Sequence, residues 1–146
     1  MKSILDWNPP LTLALLALIS AQLFKFGFAA LLSRRVDFTR LSGMGGMPSA
    51  HSASVCALST AVGLESGFGS PLFGAVAFFS VLVLYDAAGI RQAASRQARV
   101  LNRMLDDLKA HHSVQGERLI ELLGHTTLEV VVGAAYGIAL ALLLYP

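Results

Sequence analysis

Long apolar runs set the plan of this chain. Four segments dominate it, residues 11–32, 51–64, 71–90 and 127–145. The first, third and fourth approach the ~20 residues a helix needs to cross a bilayer. The second is shorter and carries Ser52, Ser54, Ser59 and Thr60, so it is expected either to be shielded by the other helices or to begin below the membrane surface. None of these runs alternates between apolar and polar positions. That excludes a transmembrane barrel and leaves helices, whose backbone hydrogen bonds close within the segment. The pattern predicts an all-α integral membrane bundle, one domain over residues 1–146, with about four spanning helices.

Between the third and fourth runs the pattern becomes polar while keeping a helical period, which predicts a polar helical extension to about Leu108. Its Val100, Leu101, Met104, Leu105 and Leu108 form an apolar stripe at helical spacing, expected to pack on a neighbour. His111, His112 and Ser113 read as a loop, with no carboxylate at a spacing that would suit a metal. Residues 114–123 read as a short helix before the last span. Residues 65–71, with two glycines and two serines, read as a tight turn on the opposite face.

Composition supports a membrane protein: 55% of the 146 residues are hydrophobic and only 14% are charged, far from a soluble average. The start does not read as a signal peptide. Asp6, Trp7, Pro9 and Pro10 interrupt it, and the apolar run continues past any cleavage point near Ser20 or Ala21. Trp7 suits an interfacial anchor. Cys56 is the only cysteine, which excludes an intramolecular disulfide and a cysteine metal cluster; a small buried apolar residue is expected there. The net charge of +2 is unevenly spread. Arg34, Arg35 and Arg40 follow the first run, and Arg91, Arg96, Arg99, Arg103, Lys109 and Arg118 separate the third from the fourth, whereas residues 65–70 hold no basic residue. The positive-inside rule then puts both basic connections in the cytoplasm and both termini on the far side.

Against this background a few polar residues stand out. Gly45, Gly46, Met47, Pro48, Ser49, Ala50 and His51 bring glycines, a helix-starting proline, a hydroxyl and an imidazole together. A helix N-terminus entered this way can hold an anion on its unpaired N–H groups, and His51 can move a proton near neutral pH. The same seven residues also suit a plain glycine loop that caps a helix. No Gly-Lys-Ser/Thr sequence follows, so a nucleotide P-loop is not indicated. Gln22 and Lys25 share a helix face inside the first apolar run. Lys25 is either functional or a lysine that snorkels along its stem, and both readings send its ammonium toward the surface that carries His51. Asp86 ends the third run, and an orienting role suits it better than substrate contact. Arg91 and Arg96 are better placed for phosphate than Arg99 or Arg103. His125 and Glu129 lie one helical turn apart, so the carboxylate can hold one ring nitrogen and leave the other to act; a structural His–Glu pair is the alternative. Gly133 and Gly137 form a small-xxx-small pattern that suits an internal helix contact or a homodimer interface.

Taken together, Gly46 to His51, Tyr85 to Arg91 followed by Gln97, Leu101 and Asn102, and Leu123 to Thr126 with Glu129 resemble the divergent bacterial and plastid branch of the type-2 phosphatidic acid phosphatase superfamily. The resemblance covers nearly the whole chain. It implies that His125 attacks phosphorus to form a phosphohistidine, that His51 protonates the leaving oxygen, and that Glu129 takes the orienting place of the usual aspartate. It also implies a membrane location, bacterial inner membrane or plastid, and a lipid or isoprenoid phosphate as substrate. No metal or other cofactor and no nucleic-acid partner is expected. Three departures stand beside it. Ala50 replaces the usual glycine, Glu129 replaces aspartate, and the basic residues are out of register: no Arg-Pro follows Lys25, and Arg118 is one residue too far from His125. Phosphate contacts are therefore expected from Lys25, Arg91 and Arg96, with Gly45, Gly46 and Ser49. A non-catalytic binder or carrier of anionic lipid, or a purely structural subunit, are the alternatives.

Overall fold

The computed structural model describes residues 7–33, 46–111, 119 and 126–145. Five helices occupy them: α1 (Pro9–Ser33), α2 (Ala50–Ser66), α3 (Pro71–Ala88), α4 (Ile90–His111) and α5 (Thr127–Leu144). Their starts are written locally. Asn8 accepts the Leu11 N–H at 3.0 Å ahead of two prolines, and Ser70 accepts the Phe73 N–H at 3.1 Å ahead of Pro71. In both places a polar cap precedes a proline whose fixed φ suits the first helical turn. The turn expected over residues 65–71 forms at 67–70. Gly67 stops α2 at φ 85°, a conformation that a side chain disfavours.

The start of α2 differs from expectation. Pro48 does not open the helix: Ser49 is the N-cap and Ala50 the first helical residue. The reason is the order of the two residues. A serine before a proline caps a helix that the proline enters, as at Ser70 and Pro71, whereas here the proline precedes the cap and stays outside.

Three helices are long and apolar enough to cross a membrane: Pro9–Phe28 within α1, Pro71–Ala88 and Thr127–Leu144. The shorter α2 is not among them. It lies between them, packed most closely on α1 and α5 and also on α3, with 8 of its 17 residues buried. Its serines are thus shielded by protein, one of the two arrangements expected for them.

The interior is built from small residues. Ala17 and Ala21 of α1, Ala50, Ala53 and Ala57 of α2 and Ala141 of α5 form one cluster, with Tyr136 and Leu140 against it. Large side chains point outward, among them Leu15, Ile19 and Phe24 of α1, Phe78, Phe79 and Leu82 of α3, and Val131, Leu142 and Leu143 of α5. In lipid, burying a leucine against another helix gains little over leaving it in the acyl chains. Close backbone approach and interhelical hydrogen bonds therefore hold such a bundle. Ser59 and Ser80 join α2 to α3 at 2.8 Å, and the Tyr136 hydroxyl donates to Ser20 at 2.8 Å between α5 and α1. Gly133 and Gly137 lie against the backbones of Ser49 and Ala53, so the small-xxx-small pattern serves an internal contact.

The polar extension after α3 exists as α4, separated from α3 by Gly89, and it runs to His111 rather than Leu108. Among the described helices it touches α3 alone. Of its stripe, Val100, Leu101, Met104 and Leu108 are exposed and Leu105 is half-buried, rather than packed on a described neighbour. The helix expected over 114–123 lies outside the described residues except for Leu119, which is not helical. Asn102, almost fully buried, grips that residue twice: its amide donates to the Leu119 carbonyl at 2.9 Å and its Oδ1 accepts the Leu119 N–H at 2.9 Å. Replacing Asn102 with alanine leaves both backbone groups without this partner. It is expected to cost about 1–2 kcal/mol, read as a lowered thermal midpoint in detergent.

Candidate functional site

The site is assembled where two helices begin. The Ser49 N–H donates to the Glu129 carbonyl at 3.1 Å, which ties the cap of α2 to the first turn of α5. Gly133, one turn further into α5, makes the approach possible: a Cβ there would stand 2.5 Å from the Ser49 carbonyl oxygen. Two helix N-termini, each a partial positive charge, thus meet at one end of the bundle.

Lys25 reaches the same place from α1. Its stem lies against Gly46, where an added Cβ would come within 3.0 Å of Lys25 Cδ, and Gly46 itself has φ 87°. The Lys25 stem and the glycine turn therefore stand beside the start of α2, which the Ser49–Glu129 bond ties to the start of α5. The Met47–Pro48 peptide between them is cis.

The hydroxyl of Ser49 faces inward. It is wholly buried and accepts the Ser52 hydroxyl at 2.9 Å and the Ser52 N–H at 3.4 Å. Ser49→Ala is accordingly expected to cost about 1 kcal/mol of stability through loss of the cap, measured by thermal unfolding in detergent. His51, two residues on, is exposed on the first turn of α2.

Glu129 takes part in the start of its own helix. Helix α5 begins at Thr127 with Thr126 as its cap. The Glu129 carboxylate accepts the Thr126 N–H at 3.0 Å, and Thr126 Oγ1 accepts the Glu129 N–H at 3.3 Å. This reciprocal pair is a capping box. Its signature, Thr126 followed three residues later by Glu129, is legible in the sequence. His125 and Gly45 lie outside the described residues; His125 directly precedes Thr126 in the chain.

The remaining candidates lie on other helices. Asp86 is half-buried near the end of α3. Arg91 sits in the first turn of α4 and Arg96 is exposed on its next turn. Among the described residues α4 makes no contact with the helices that carry Lys25, His51 and Glu129. The structure thus brings together Lys25, Gly46, Ser49 and Glu129, with His51 beside them, and leaves Arg96 outside.

These features define a helical membrane protein with two helix starts and a lysine gathered at one end of its bundle, around a turn written in glycine. The chain belongs to the Divergent PAP2 family, whose profile matches residues 7–140. It is also similar to a Bacillus subtilis (strain 168) protein named "Uncharacterized membrane protein YuiD", with 41% identity over 148 aligned positions that cover 94% of each chain. No solved structure matches it.

Proposed function

We propose that this chain is a membrane phosphatase that hydrolyses a lipid or isoprenoid phosphate monoester or diphosphate through a phosphohistidine. The observation that carries the reading is the backbone bond from Ser49 to Glu129. It draws the segment ending in His51 toward the segment that follows His125.

In the first step the unprotonated nitrogen of His125 attacks phosphorus. The P–N bond forms as the P–O bond to the lipid breaks, and His51 passes its proton to the departing oxygen. In the second step water attacks phosphorus, His51 takes the water's proton, and the P–N bond breaks to release phosphate and restore His125. Charge on the equatorial oxygens is met by Lys25 and Arg91 and by backbone donors of the turn at Gly45 and Gly46, in keeping with a transfer that depends on positioning and electrostatics. Glu129 orients the site and Asp86 supports it from α3. The pocket opens on the cytoplasmic face, where a lipid keeps its tail in the bilayer while its headgroup meets the cations. In this reading α2 counts as a fourth, central pass.

One observation favours a second reading. Ser49 Oγ and the Glu129 carboxylate both serve as caps, which suits a binder or carrier of anionic lipid that keeps the pocket without turnover. The test is phosphate release by the purified protein from a panel of lipid phosphates, comparing the wild type with His125→Ala and His51→Ala. The phosphatase reading expects release by the wild type, its loss in His125→Ala, and an alkali-stable, acid-labile phosphoenzyme in the wild type that the His125→Ala variant does not form. Equal rates in all three remove the catalytic assignment. Saturable lipid binding that needs Lys25 or Arg91, without release, establishes the binder instead.

A further inference from the structure

Helix α4 covers the wrong side of itself for a helix in water. Ser95, Ala98 and Asn102 are 9, 6 and 3% exposed, whereas Val100, Leu101, Met104 and Leu108 are 50, 51, 57 and 49% exposed. The chain folds Leu119 onto the polar strip through Asn102 and leaves the apolar strip bare. A helix surrounded by water would gain more by the opposite choice. The medium on the apolar side is therefore itself apolar.

What that medium is follows from position and charge. A single residue, Gly89, separates α4 from α3, a helix apolar and long enough to cross the membrane. The first turn of α4 thus begins at the bilayer's edge, five residues after outward-facing Tyr85. With about 100° of rotation per residue, Arg99 stands on the far side from Leu101 and Met104, and Arg96 and Arg103 stand toward the border of the stripe. All three arginines are exposed. A helix with an apolar strip, a basic polar face and low overall hydrophobicity is of the kind that lies in the plane of a membrane.

We propose that the bare stripe of α4, Val100, Leu101, Met104 and Leu108, beds into the headgroup region of an anionic bilayer, the same one that α3 crosses, with Arg96 and Arg103 pairing with lipid phosphates along its border. The helix then lies along the surface rather than projecting into water. This is independent of whether the chain is a phosphatase.

The test is a set of single-cysteine variants of the full-length protein in a Cys56→Ala background, reconstituted into vesicles and labelled with an environment-sensitive fluorophore. Leu101→Cys, Met104→Cys and Leu108→Cys report on the stripe, and Arg99→Cys and Asp106→Cys on the opposite side. All five positions are exposed, so labelling leaves the bundle packing intact. The expected result is blue-shifted emission from the three stripe labels, quenched by nitroxide lipids and protected from aqueous iodide, with the reverse at 99 and 106. Protection should be greater in vesicles containing phosphatidylglycerol than in phosphatidylcholine alone, and should weaken with salt. Equal iodide quenching at all five positions overturns the proposal. Stripe labels shielded from both quenchers and cross-linking between copies overturn it in favour of a second chain as the cover. Protection indifferent to lipid charge overturns the assignment to an anionic surface.

Discussion

Gly137→Ala is expected to destabilise the bundle by about 2–3 kcal/mol, although alanine is the better helix former. In an open helix position this exchange gains up to about 1 kcal/mol. At Gly137 the new methyl group would fall on the carbonyl oxygen of Ala53 and 2.8 Å from its carbon, atoms of a neighbouring helix backbone that cannot rotate aside. Relief comes only by pushing α5 off α2, an overpacking at or above the upper end of the usual ~1–3 kcal/mol, which leaves about 2–3 kcal/mol after the propensity gain is subtracted. The same wedge strains the bond from Ser49 to Glu129, so whatever the site does should fall with it. Gly27 and Gly74 supply the control. A Cβ at either position meets nothing within 4 Å, and alanine there is expected to leave the thermal midpoint unchanged or raise it. Unfolding of the purified variants in detergent makes the comparison. A Gly137→Ala protein that melts with the Gly27→Ala and Gly74→Ala proteins would contradict the close α2–α5 packing described above.

His51→Ala is expected to slow phosphate release by about 10²–10⁴, the usual contribution of a positioned general acid. The loss should depend on the leaving group. An aliphatic lipid alcohol departs poorly as an anion and needs the proton, whereas a nitrophenyl group leaves readily without one. The variant should therefore lose most of its rate on a lipid phosphate and little on an aryl phosphate. His51 is exposed on the first turn of α2, and the thermal midpoint of the variant separates lost catalysis from lost folding. An equal loss on both substrates would assign His51 to binding rather than proton transfer, and no loss on either would remove it from the reaction.

Much of the architecture can be read without coordinates because it depends on local properties. Run length and the absence of alternation identify α1, α3 and α5 as apolar helices. The serine that precedes Pro71 and the glycine at 67 locate the turn between α2 and α3. The basic residues and helical period after Ala88 announce α4. One residue of register changes the meaning at helix ends, where side chain and backbone compete for the same hydrogen bonds. Pro48 was expected inside α2 and lies outside it, since the cap follows the proline rather than preceding it. The Glu129 carboxylate accepts the backbone N–H of Thr126 as part of the start of its helix, a contact beyond the one its spacing from His125 suggests.

By itself the sequence determined that this is a helical membrane protein, which segments are apolar enough for lipid and which polar residues are expensive enough there to demand an explanation. Those properties belong to stretches of about twenty residues and need no knowledge of neighbours. Only the tertiary structure decided that α2 occupies the middle, that Gly133 and Gly137 are crowded while Gly27 and Gly74 are not, and that Lys25, Gly46, Ser49 and Glu129 meet at one end. The physical reason is that in lipid the helices are held by backbone approach and a few hydrogen bonds. A glycine's worth is set by the helix that docks on it, and nothing along its own segment records that.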